Sequence, residues 1–348
     1  MSSHSLIDYL FENTQTLKHP LLLGEGEMCY EEMHNISKGA GSDLSTKKDV
    51  SNRILLISDN SVFFLLAYFS ILQSGKTCVL LDPKVAEEEL LRILSLCKIN
   101  TIFAPEKLHQ KLKNCPDGTH LVGEDYFDNE FGLTEKREHF DNNEALILFT
   151  SGSTGLPKGV VLTHDNLISN CNSILETLPI SKDDIHQVVL PFFYSFGLSV
   201  LHSHMRRGAS LVLNNKFAFP KSVITISDKY KCTGFSGVPS HYQMLIEKTK
   251  FLTSEISSLK YFAQAGGKLH DMYIEKIQNS FSDKKLFIMY GATEASPRLT
   301  CFDPSAAASK NKSIGKPIPD VSFSLRDQNN QEVKDGEVGE IFAKGPNI

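Results

Sequence analysis

The chain has 348 residues, of which 41% are hydrophobic and 22% charged, enough to bury one large core or two adjoining ones. Lys plus Arg number 36 against 41 Asp plus Glu, a formal net charge of -5, so the overall field does not draw in a polyanion. Nucleic acid is therefore not an expected partner, and any phosphate site must be built locally.

The first residues, MSSHSLIDYLFENTQ, lack a basic start followed by an apolar core, so no secretory signal is expected. From about Arg53 onward, short β-rich runs alternate with helical patterns, which predicts βαβ units feeding mainly parallel sheets. Residues 53–58 (RILLIS) read as a strand, Ser61 as the cap of a following helix, and Gly75 as its stop. The most apolar run, 62–72, is about half the length of a membrane span and reads as a buried helix. A strand at 78–82, a helix at 84–98 and a strand at 101–105 follow, then a polar, irregular connector at about 107–143.

The alternation resumes with a strand at 145–150, a helix from about His164, and strands at 188–191, 210–213, 235–239, 261–266 and 286–291. From Gly315 the pattern changes to VSFSL (321–325) and EIFAKG (340–345), joined by polar turn residues. The expected fold is α/β: two doubly wound, mainly parallel lobes over residues 1–315, with a boundary near 140–190, then the start of a small antiparallel β subdomain over 316–348.

Seven cysteines, Cys29, Cys78, Cys97, Cys115, Cys171, Cys232 and Cys301, show no CxxC pair and cannot all pair within one chain. They read as reduced thiols of a cytoplasmic protein. His202 and His204 have no metal-ligand spacing, so no structural metal is indicated.

The run FTSGSTGLPKGV (149–160) follows a strand and is expected to open towards a helix, where free backbone N–H groups meet an anion. Gly152, Gly155 and Gly159 allow tight turns, Thr150, Ser151, Ser153 and Thr154 bring hydroxyls, and Lys158 brings a positive charge. The common GxxxxGK phosphate loop fails here, because position 157 is proline. YGATEAS (290–296) ends another strand, where ligands bind in open α/β sheets. AQAGGKL (263–269), PFFYSFGL (191–198) and GVPSHYQML (237–245) sit at further strand ends.

On these residues the chain resembles the acyl-adenylate-forming superfamily of acyl-CoA synthetases, luciferases and peptide-synthetase adenylation domains. The resemblance implies that 150–155 and Lys158 hold the phosphates of ATP, Gly266 and Gly267 wall the adenine, and Tyr290 stacks on it beside Gly291 and Ala292. It further implies that Thr293 bonds the α-phosphate or the substrate carboxyl and that Glu294 holds Mg²⁺, with Lys158, Thr293 and Glu294 as the catalytic set. Phe192, Tyr194, Ser195, Phe196 and Gly197 would line the acyl pocket, with Tyr194 where many relatives carry histidine. Amino-acid-activating relatives place an aspartate in this segment, and no acidic residue occurs between Pro191 and Leu213, so a free α-amino acid is disfavoured.

The expected activity is ATP-dependent formation of an acyl-adenylate with release of pyrophosphate. Transfer to coenzyme A follows in the full-length enzyme, or alternatively to a carrier protein. A non-catalytic nucleotide-binding module is the alternative from another class. Relatives continue past GEVGEIFAKGPN (336–347) with a ribose-binding aspartate, a hinge and a small C-terminal domain bearing a catalytic lysine. The chain is accordingly expected to be the large N-terminal part, with weak or absent complete activity alone.

Overall fold

In the computed structural model, which describes residues 5–131, 143–150, 157–302 and 313–348, the apolar runs form buried strands that alternate with helices. The strands are β1 (Pro20–Leu23), β2 (Met28–Cys29), β3 (Arg53–Ile57), β4 (Thr77–Leu81), β5 (Thr101–Phe103), β6 (His120–Val122), β7 (Glu144–Thr150) and β8 (Lys158–Thr163). They continue as β9 (Ile185–Val188), β10 (Ser210–Leu213), β11 (Gly234–Gly237), β12 (Tyr261–Gln264), β13 (Lys285–Gly291), β14 (Arg298–Phe302), β15 (Lys316–Pro317), β16 (Ser322–Arg326) and β17 (Glu340–Lys344). The helices are α1 (Leu6–Phe11), α2 (Tyr30–Thr46), α3 (Val62–Gln73), α4 (Glu87–Cys97), α5 (Glu106–His109), α6 (His164–Thr177), α7 (Ser195–Arg207), α8 (Lys221–Tyr230), α9 (Pro239–Lys248) and α10 (Asp271–Ser280).

Two sheets organise the chain. The first has the order β6-β5-β3-β4-β7-β8 and is parallel except for β7–β8. The second has the order β15-β14-β13-β12-β11-β9-β10-β1-β2, parallel from β13 to β1 and antiparallel at both edges. β16 and β17 pair as a separate antiparallel hairpin. The architecture is the mixed α/β one that the alternation predicts. β3 and β4 read as near-unbroken apolar runs because parallel strands are covered on both faces.

One hydrophobic cluster takes residues from both sheets, among them Leu56 and Leu80 of the first and Leu211, Phe235 and Phe262 of the second. α3 belongs to it on all sides. Its sequence VFFLLAYFSILQ has no polar stripe, so it is stable only when enclosed. Ser61 caps its start by accepting from the Phe64 N–H, and the buried Ser70 hydroxyl donates back to the Leu66 carbonyl at 2.6 Å. The outer face of the first sheet is covered by α4, whose first turn carries Glu87, Glu88 and Glu89 in favourable alignment with the helix dipole. No helix among the described residues is long and apolar enough to cross a membrane.

Several expectations are corrected. The helix expected from position 84 begins at Glu87, because Asp82 turns the chain by accepting from the Lys84 N–H at 2.8 Å. The connector at 107–143 supplies β6, an edge strand parallel to β5, while its residues 132–142 lie outside the described ones. The strand expected at 188–191 lies at Ile185–Val188. His186 and Gln187 disguise it, since both are polar yet buried: Gln187 accepts from Ser227 at 3.0 Å, and Pro191 cannot extend the ladder. Residues 195–207, without a helical reading in the sequence, form α7.

Candidate active site

The C-terminal ends of β4 and β7 in the first sheet open on a cleft of about 500 Å³. Its lining includes Asp82 and Lys84 after β4, Thr150 at the end of β7, Tyr194 and Ser195 at the start of α7, and Thr293. Three sequence segments that are far apart in the chain thus meet through Thr150, Ser195 and Thr293. The Ser195 and Thr293 hydroxyls lie 3.4 Å apart.

The strands flanking residues 151–156 pair antiparallel, where the sequence predicts a strand opening towards a helix. Thr150 pairs with Lys158 across the antiparallel β7–β8 ladder, and the helix α6 starts only after β8. The start of α6 is closed by its own box, with the Thr163 side chain accepting from Asn166 N–H and the Asn166 side chain accepting from Thr163 N–H. The box takes up the Thr163 and Asn166 N–H groups at this helix start. Lys158 is exposed. Ser151, Gly152, Ser153, Thr154 and Gly155 lie outside the described residues.

β8 packs against the short 3-10 turn Thr293–Ala295 that joins β13 to β14. The turn is tightly closed: the Ala292 N–H donates to the Pro297 carbonyl at 2.9 Å, and Gly291 faces Arg298 across the ladder. A Cβ on Gly291 would fall 1.8 Å from that same carbonyl oxygen, so only glycine fits there. Two buried amides brace the turn from outside. Asn170 of α6 donates to the Ala295 and Arg298 carbonyls at 3.2 and 3.0 Å, and Asn347 donates to the same pair at 2.9 and 3.0 Å. Thr293 is half-buried, and Ala292 and Glu294 are exposed.

PFFYSFGL is divided by its environment. Asn60, just after β3, donates to the Leu190 carbonyl at 2.9 Å and accepts from the Phe192 N–H at 2.7 Å, which fixes the approach to α7. Phe192 is 0% exposed in the main core against Phe64, away from the cleft lining. Tyr194, 52% exposed, faces the cleft with its ring against Phe193. Burial and the nearby Asp82 charge both raise its phenol above the usual range, so it is a neutral hydroxyl at pH 7. Gly197 lets the first turn of α7 sit against the chain, since a Cβ there would fall 2.1 Å from the Pro191 carbonyl oxygen.

Tyr290, 39% exposed, and Gly266 and Gly267, both exposed, sit at the C-terminal ends of the adjacent parallel strands β13 and β12. None of the three is among the residues that line the cleft. Sequence reasoning missed Asp82 and Lys84, which carry no motif, and Asn347. Asn170 left a signal: it interrupts the apolar helical series Leu167, Cys171, Ile174 and is buried like them.

The segments gather at the C-terminal ends of parallel strands, where open α/β sheets bind ligands. The chain belongs to the AMP-binding enzyme family, whose model matches residues 13–348. It is 31% identical over 206 residues to a feruloyl-CoA synthase of Amycolatopsis sp, covering 58% of this chain and 41% of that protein. It is 26% identical over 311 residues to a D-alanine--D-alanyl carrier protein ligase of Streptococcus pyogenes serotype M3, covering 85% of this chain and 59% of that protein. Among solved structures, ATP-bound MatB from Rhodopseudomonas palustris superposes with a TM-score of 0.87 at 22% identity, covering 99% of this chain and 70% of that one. That likeness shows the shared fold. The chain spans about two fifths of the length of the feruloyl-CoA synthases it matches, 41%.

Proposed function

We propose that this protein activates a carboxylic acid with ATP, forming an acyl-adenylate and pyrophosphate, and in its full-length form passes the acyl group to the thiol of coenzyme A. The observation that carries the reading is the convergence of Thr150, Ser195 and Thr293 on one cleft, with Lys158 on the strand that packs against the Thr293–Ala295 turn. A carboxylate oxygen of the acid bonds to the α-phosphorus as the bond from that phosphorus to the pyrophosphate oxygen breaks. Such a displacement asks the protein for positioning and charge neutralisation, with no nucleophile of its own.

Each residue then has a role. The 151–155 loop and Lys158 hold the phosphates, Tyr290 with Gly266 and Gly267 takes the adenine, and Thr293 orients the carboxyl or α-phosphate. The exposed Glu294 carboxylate is a hard oxygen ligand that suits Mg²⁺, whose charge offsets that of the departing pyrophosphate. Tyr194, Ser195 and Phe196 border the acyl group. The free thiols fit a reducing compartment such as the cytoplasm. Similarity to a carrier protein ligase supports a second acceptor, the thiol of a carrier protein's prosthetic arm.

Exchange of labelled pyrophosphate into ATP by the full-length protein, across a panel of carboxylic acids, tests the proposal. Exchange is expected with at least one acid and none without acid. ATP binding with no exchange for any acid would instead make the protein a nucleotide-binding module.

A further inference from the structure

The first residue of β14, Arg298, directly follows the candidate site turn and is 2% exposed. Its backbone is held by Asn170 and Asn347, but its guanidinium forms no hydrogen bond or ion pair among the described residues, and Nη1 is buried without a partner. Other arginines find carboxylates: Arg53 pairs with Glu144 at 2.9 Å, and Arg206 with Glu12 at 2.7 Å. The guanidinium lies 5.9 Å from the centre of the Phe196 ring.

Among the described residues no carboxylate pairs with it, and the side chains whose charge acts on it are Cys301 and Tyr261. The Tyr261 hydroxyl is occupied by His186 Nδ1 at 3.2 Å and His204 Nε2 at 3.1 Å. Burial holds His204 down to about 4 and His186 well below its usual value, and keeps the Tyr261 phenol protonated, so all three are neutral at pH 7. Burial also lowers Arg298, to about 10, which leaves it a cation at neutral pH. A buried, uncompensated guanidinium persists in few places except where an anion completes it.

Its position says where that anion comes from. Phe196 is the neighbour of Ser195, and Ser195 meets Thr293 on the cleft wall, so Arg298 lies behind the wall shared by α7 and the β13–β14 turn. We infer that the activated acid carries a second anionic group, most simply a second carboxylate, and that Arg298 binds it past the Phe196 ring while the reacting carboxylate stays near Thr293. A guanidinium offers paired donors that match a carboxylate and favour it over a neutral chain end. This inference rests on the adenylation reading above and names its substrate class.

The test compares, by pyrophosphate exchange in the full-length protein, dicarboxylic acids with monocarboxylic acids of equal chain length. The unmutated protein is expected to prefer the dicarboxylate in kcat/KM by about tenfold or more, a result that needs no variant. Arg298→Leu is expected to lower dicarboxylate kcat/KM by about 100-fold while the monocarboxylate value holds or rises, and Arg298→Lys to retain part of the preference. Thermal melting and ATP affinity of each variant separate this selective loss from misfolding. Exchange that favours monocarboxylic acids, or an Arg298→Leu protein that loses both classes by one factor, overturns the inference and leaves adenylation standing. Absence of exchange with every acid overturns both.

Discussion

Gly291→Ala is expected to destabilise the protein by about 3 kcal/mol or more and to abolish exchange activity. The added methyl would fall 1.8 Å from the Pro297 carbonyl oxygen, 2.8 Å from its carbon and 3.2 Å from the Arg298 Cα. All three are backbone atoms, so no side chain can swing aside to make room. Relief requires opening the Gly291–Arg298 pair and the Ala292 to Pro297 hydrogen bond, and these two contacts set the position of Thr293 and Glu294. Denaturant unfolding checks the stability, and an unchanged midpoint would contradict this account of the turn.

Glu294→Gln is expected to do the opposite: leave the fold intact and lower magnesium-dependent turnover about 100- to 1000-fold. The side chain is exposed, so its replacement by an isosteric amide removes only charge and a hard-ligand oxygen. The checks are turnover at saturating magnesium and thermal melting side by side. Turnover equal to that of the unmutated protein would remove Glu294 from the proposed set.

Much of this was legible in the residues, for identifiable reasons. β3, β4 and α3 announce themselves because nearly every position is apolar, and Ser61 marks the start of α3 by a local cap. YGATEAS could be placed at a strand end because its strand is continuous. The hairpin at Thr150–Lys158 was misread because KGVVLT resembles a lead-in to α6, and antiparallel pairing back onto β7 is a tertiary event with no local mark. α7 was missed because Gly197, three serines and two histidines lower its helical propensity, and packing against α1, α6 and two strands overrides that weakness. Arg298 carried no sequence signal. Its isolation depends on which residues fail to surround it, and only the folded chain shows that.

The central claim concerns which phosphorus the acid attacks, and isotope transfer reads that directly. The full-length protein, turning over ATP with an acid labelled with ¹⁸O in its carboxylate and a thiol acceptor, is predicted to release AMP bearing one ¹⁸O, because the acid oxygen bonded to the α-phosphorus leaves with it. Label in inorganic phosphate, or AMP free of ¹⁸O, would contradict adenylation at this site.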